Sequence, residues 1–188
     1  MKKTLALSLA LLLAFTLTAT AAQVAGVNVT DTVTIDGKPL KLNGAGLRKR
    51  SLFKVYVAAL YVETPSKDAG AVLADNGIKS MQLHMLRDVK SKAITDAIGD
   101  GFQRNSKDQV PKLQPRLDSL AKMLPDLSEG DVVTLTWIPD KGTVVNARGT
   151  DRGTIEGRDF ADALFAVWLG PDPVQDDLKA ALLGAPAS

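Results

Sequence analysis

The eleven residues Leu52 to Val62, LFKVYVAALYV, constrain the fold more than any other stretch of the chain. Even positions carry Leu52, Lys54, Tyr56, Ala58, Leu60 and Val62; odd positions carry Phe53, Val55, Val57, Ala59 and Tyr61. A strand sends alternate side chains to opposite faces, so a segment apolar on both is a central strand covered on both sides. One face is expected to meet helices, the other a second layer or a ligand cleft. In this alternation Lys54 and Tyr56 share a face. Just upstream, Arg48, Lys49 and Arg50 crowd the strand's mouth, after a Gly44-Ala45-Gly46 bend able to turn the chain back over that face.

Around this strand the pattern alternates between sheet and helix signals. Val27 to Ile35 alternates β-branched and polar residues, and Asp36-Gly37 marks a hairpin turn into Lys38 to Leu42, followed by a loop over Asn43 to Gly46. Ile78 to Arg87 alternates again. Asp131 to Ile138 and Gly142 to Arg148 flank a turn at Pro139-Asp140-Lys141. Apolar residues recur at helical spacing over Lys90 to Arg104, over Pro111 to Leu124 and from Phe160 to Trp168. A short helix is expected over Ala69 to Asn76, and a last one from Asp172-Pro173 to Gly184. The sum is an α+β domain with one mainly antiparallel sheet and helices layered on one face.

The N-terminus reads as a leader. Lys2 and Lys3 precede an apolar run of thirteen residues, Leu5 to Leu17, and then the small residues TATAA. That is the form of a secretory signal peptide, cleaved after Ala21 or Ala22, and the run is too short for a spanning helix of about 20 residues. The expected organisation is therefore a signal peptide over 1–22 and a single domain over 23–188, exported to a bacterial periplasm, with no stable membrane insertion after cleavage. The chain has 23 Lys+Arg and 21 Asp+Glu, and the leader removes two lysines and no acid. A near-neutral remainder argues against nucleic acid as a partner. With no cysteine and one histidine, disulfides and a zinc site are excluded, and no metal or cofactor is expected.

Candidate chemistry concentrates at the strand mouth. A guanidinium and a phenol at one end of an apolar slot suit an elongated ligand with an acidic or carbonyl head, since arginine pairs bidentately with carboxylate. The alternative is that Arg48, Lys49 and Arg50 are solvated charges guarding a strand end. His84 stands alone on a polar alternation as a surface or cleft-wall residue. Asp96 and Asp100 lie on the polar side of their helix, and Trp137 and Trp168 read as core.

GAGLR, FKVYVAALYVE and EGRDFADALFAVWLG together resemble the chalcone isomerase-like domain family over roughly residues 25 to 184. The resemblance implies an open-faced β-sandwich with an apolar cleft near the long strand. The family includes isomerases that close chalcones to flavanones and relatives that bind fatty acids without catalysis. It implies Arg48 as the residue that reaches the ligand. Tyr56 falls where the isomerases carry a threonine that bonds the substrate ketone through water, and the fatty-acid binders likewise pair arginine with a strand tyrosine. Thr150 falls where the isomerases carry another cleft hydroxyl, and Lys54 completes the ligand-binding set. The chain departs from the isomerases by lacking any tyrosine after Tyr61 and any asparagine between Gly77 and Arg104.

The expected function is an exported binder of a small hydrophobic or amphipathic carboxylate such as a fatty acid. The alternatives are an isomerase (intramolecular lyase) with Arg48 and Tyr56 catalytic, and a structural or adaptor protein of the envelope. Protein partners are not specified by the residues.

Overall fold

A computed structural model describes residues 21–186. Most of the expected leader, residues 1–20, lies outside the described residues. Ala21–Val24 (β1) and Val27–Thr30 (β2) form a two-stranded hairpin, turned at Ala25 (φ 48°) and Gly26 (φ 90°). The main sheet has seven antiparallel strands in sequence order: Thr32–Ile35 (β3), Lys38–Arg50 (β4), Phe53–Val62 (β5), Lys79–Met85 (β6), Val132–Ile138 (β7), Gly142–Ala147 (β8) and Thr150–Ile155 (β9). The helices are Ala69–Ala74 (α1), Ser91–Asn105 (α2), Val110–Met123 (α3), Arg158–Leu169 (α4) and Asp176–Leu182 (α5). Among these described residues no helix is long and apolar enough to cross a membrane.

The long strand is central, third in the sheet, and both of its faces are covered over Val57–Val62. Ala58, Leu60 and Val62 pack with Met81, Leu83 and Leu135 against the helices, chiefly α4, whose residues from Phe160 to Leu169 are buried almost without interruption. Val57, Ala59 and Tyr61 belong to a second cluster with Val24, Val29 and Leu40. The second layer is therefore the β1–β2 hairpin, pinned where the Tyr61 hydroxyl donates to the Thr30 carbonyl at 2.9 Å. This explains why Val27 to Ile35 does not form the single strand its alternation predicts. The chain breaks at Asp31, so that β2 crosses the sheet's open face while β3 joins its edge.

The expected hairpin turns are present. Asp36 (φ 51°) and Gly37 (φ 75°) both take the left-handed conformation that a two-residue turn needs to follow the strand twist. The Gly44–Gly46 loop, by contrast, is strand. β4 runs unbroken through it with a bulge between Leu42 and Gly44. The glycines serve packing, because α5 lies directly on them. A methyl group at Gly46 would stand 2.7 Å from Ala181 Cβ and 2.9 Å from Leu178 Cδ1, and one at Gly44 would overlap the Ala181 carbonyl. Asn43, extruded by the bulge, donates to the Leu182 and Ser66 carbonyls and fastens α5 to the sheet.

α2 packs on α4 through Ile98, Gly101 and Phe102. A methyl at Gly101 would lie 2.8 Å from Val167 Cγ1, so glycine permits this close helix crossing. The last helix starts at Asp176, four residues after the expected Asp172, since the link from Gly170 turns over the end of α2. Asn105 caps that link, donating to the Asp172 carbonyl at 2.7 Å and accepting from the Asp172 amide at 2.9 Å.

Candidate functional site

A cavity of about 650 Å³ opens between α2 and the helix-side face of β5 and β6. That size lies within the roughly 300–1,000 Å³ typical of small-molecule sites. Its floor is Val55, Tyr56, Leu83 and Met85; its α2 wall is Ala93, Ile94, Ala97 and Ile98; its inner end is Val167, Trp168 and Val174. The cleft thus lies on the same face as the helices, and of the two expected occupants of the other face, a second layer or a ligand cleft, the second layer is the one present.

Arg48 and Tyr56 both line the cleft. They are direct cross-strand partners, Arg48 on β4 and Tyr56 on β5, so the pairing itself puts both on one face and no folding-back of the glycine segment is needed. Gln175, just before α5, holds the arginine. Its Oε1 accepts from Arg48 Nη1 at 3.0 Å and from the Lys49 amide at 2.8 Å, and its Nε2 donates to the Leu47 carbonyl at 3.0 Å. Arg48 Nη1 also donates to the Lys49 carbonyl.

Tyr56 is fixed from below. Trp168 Nε1 donates to the Tyr56 hydroxyl at 3.0 Å. An indole nitrogen can only donate, so the phenol oxygen is the acceptor and its own proton is left for another partner. Burial pushes the Tyr56 pKa up, against the opposing pull of the Trp168 hydrogen bond and the Arg48 charge. The phenol is accordingly a neutral donor at ordinary pH.

Lys54 does not join them. The β4–β5 register slips by one residue after Arg48↔Tyr56, and the next pair is Lys49↔Lys54. The bulge leaves Val55 and Tyr56 both on the cleft and turns Lys54, with Lys49, to the opposite face, where it is exposed. Thr150 also stands apart, exposed at the start of β9, four strands from β5. His84 pairs with Val57 on the side away from the cleft; burial lowers its pKa, and its Nε2 is buried without a hydrogen-bond partner.

Two further cations belong to the cleft rim, Arg50 and Arg104. Arg50 follows Arg48 by two positions on β4 and so returns to the same face, a relation present in the alternation although the residue reads as a solvated strand end. Three acids, Asp96, Asp100 and Asp172, share the rim. Asp96 is engaged by Lys92 at 2.7 Å, and Asp172 lies 3.6 Å from Arg104. Among the described residues Arg48 and Arg50 have no carboxylate within ion-pair distance. The cleft therefore has apolar walls and two guanidinium groups without a carboxylate partner, and the Tyr56 hydroxyl proton has no acceptor among the described residues.

Residues 21–184 match the family described as chalcone isomerase-like. The chain belongs to the chalcone isomerase-like family. The curled seven-stranded antiparallel sheet with its helices has that family's fold. Among solved structures the chain is similar to a fatty-acid binding protein of Arabidopsis thaliana, with a TM-score of 0.59 and 15% identity, covering 81% of this chain and 95% of that one. No curated protein matches it. Of the α2 residues that line the cleft, Ala93, Ile94, Ala97 and Ile98 cannot hydrogen-bond through their side chains, while Asp96, Asp100 and Arg104 stand at its rim.

Proposed function

We propose that this member of the chalcone isomerase-like family is an exported, non-catalytic binding protein for a small amphipathic carboxylate, a fatty acid in the simplest case. The carboxylate sits at the Arg48 end of the cleft, and the acyl chain lies along Ala93, Ala97, Leu83 and Met85. One observation carries the reading. The Tyr56 hydroxyl accepts from Trp168, so its own proton is free beside a guanidinium that has no carboxylate of its own. A planar guanidinium and a neutral O–H are the donors that a carboxylate accepts from. The fatty-acid binding protein of similar fold supports the ligand class. The charged, apolar and small-residue order of the N-terminus supports export to the periplasm.

Chalcone closure is the rival activity, and it needs an enolate stabilised as it forms. The α2 wall residues Ala93, Ile94, Ala97 and Ile98 supply no donor toward that charge, and Arg104 at the rim lies against Asp172, which favours binding over turnover. Calorimetric titration with palmitate tests the proposal. Saturable binding to the wild type and its loss in Arg48→Ala are expected. Conversion of a chalcone by the wild type, abolished in Arg48→Ala, would overturn the binding reading in favour of an isomerase.

A further inference from the structure

The turn that joins β4 to β5 carries an unusual tip. Arg50 pairs with Phe53 across it, so Ser51 (φ 54°) and Leu52 form a tight two-residue loop. Such loops ordinarily hold glycine, asparagine or aspartate. Here Leu52 is 97% exposed and Phe53 60% exposed. They are the large hydrophobic side chains that stand out in solvent among the described residues, and they are adjacent. The Arg87 guanidinium lies 4.6 Å from the centre of the Phe53 ring. Lys49, Arg50 and Lys54 flank the tip in sequence, and no acid occurs between Leu42 and Val62. Nearby Asp88 accepts from the Glu129 amide at 3.0 Å, and the acids of the cleft rim belong to α2 and to the link before α5.

We infer that the Leu52–Phe53 tip docks the protein on an anionic lipid surface, with the two apolar side chains in the acyl boundary and Lys49, Arg50, Lys54 and Arg87 among the headgroups. The combination decides the occupant. Two side chains supply far less than the roughly 800 Å² per partner of a stable protein interface. An apolar tip ringed by cations does meet the needs of interfacial binding, where apolar insertion and attraction to anionic lipid add. Arg50 belongs to both the tip and the cleft rim, so docking brings the cleft mouth to the bilayer. That last step, transfer of an amphipathic ligand between membrane and cleft, rests on the proposed function; docking itself does not.

Flotation with vesicles tests it. The protein should float with vesicles of phosphatidylcholine and phosphatidylglycerol in equal parts, and stay behind with pure phosphatidylcholine. The double variant Leu52→Ser/Phe53→Ser should weaken partitioning by on the order of tenfold or more. Lys49→Gln/Lys54→Gln, both on the face away from the cleft, should weaken it by roughly fivefold for each cation removed. Absence of flotation with either vesicle, or equal flotation of wild type and both variants, overturns the inference. So does a concentration-dependent dimer that Leu52→Ser/Phe53→Ser abolishes, which would assign the tip to a second copy of the chain. Palmitate titration of Leu52→Ser/Phe53→Ser without vesicles reads the cleft separately, because the tip variant should bind palmitate as the wild type does.

Discussion

Trp168 donates its indole N–H to the Tyr56 hydroxyl at 3.0 Å and in doing so sets the direction of the phenol's own hydrogen bond. Trp168 comes from the most buried helix and Tyr56 from the central strand, so core packing orients a group at the cleft floor. Arg48 stands opposite Tyr56 across the strand pair, so the register of one hairpin sets the distance between the two candidate head-group donors.

Tyr56→Phe separates the two roles of this hydroxyl. Loss of the ligand bond should weaken palmitate binding by about 0.5–1.5 kcal/mol, and the orphaned Trp168 N–H should cost about 1–3 kcal/mol of stability. In Tyr56→Phe/Trp168→Phe the stranded donor is gone. Urea unfolding of the double variant should recover part of the stability, while calorimetry shows affinity still reduced.

Gln175 positions Arg48 without lining the cleft. Arg48→Ala should lose about 1.5–3 kcal/mol of binding, the range for hydrogen bonds to charged groups. Gln175→Ala should lose less, since the guanidinium remains but is no longer held. Equal losses in a palmitate titration of the two variants would count against a positioning role.

Asp159, at the start of α4, is clamped by Arg116 through two contacts of 2.7 and 2.9 Å and by Lys112 at 2.8 Å. The Arg116 bonds come first among the causes that hold its carboxyl well below the ordinary carboxylate range. A depressed folded pKa gives stability that is present above the unfolded pKa of about 4 and is lost as pH falls toward the folded value. Asp159→Asn should therefore cost about 1–2 kcal/mol at neutral pH. Chemical denaturation of wild type and variant at a series of acid pH values should show the gap closing below about pH 4.

Lys79 has the opposite sign. Its side chain is only 2% exposed, and its Nζ donates to the Val72, Leu73 and Asp75 carbonyls at the end of α1. Burial, reinforced by the charge of Arg158, lowers its pKa to about 8. Between pH 8 and the unfolded value of about 10.4 the unfolded chain binds the extra proton, so stability should rise with pH in that window by up to about 1.4 kcal/mol per pH step. Lys79→Met should lack this rise. Denaturation curves for the two proteins at pH 7.5 and pH 10, about the two ends of the window, check it.

The parts of the fold legible in the sequence are those with a strong period. α2, α3 and α4 follow their apolar stripes, and the central strand announces itself by being apolar on both faces. β9 does not, because its residues, TDRGTI, are polar and it lies at the sheet edge, where one side needs no apolar partner. Arg48 and Tyr56, which the structure brings together on the cleft, are legible as candidate site residues because cation and phenol lie within nine positions at the start of an apolar strand. The expected shared face of Lys54 and Tyr56 fails at the bulge at Val55, which no alternation count detects, since one extra residue reverses every side chain beyond it. Gly44 and Gly46 carry the signal for a bend, yet their reason is a helix from the far end of the chain resting on them. Contacts of that sequence separation leave no local pattern.

The most direct test of the central claim is native mass spectrometry of the protein recovered from a bacterial periplasm, with organic extraction of whatever it holds. The account predicts one fatty acid or similar carboxylate per chain in the wild type and its loss in Arg48→Ala. A wild type that arrives ligand-free, or an Arg48→Ala variant that keeps the same ligand, would contradict it.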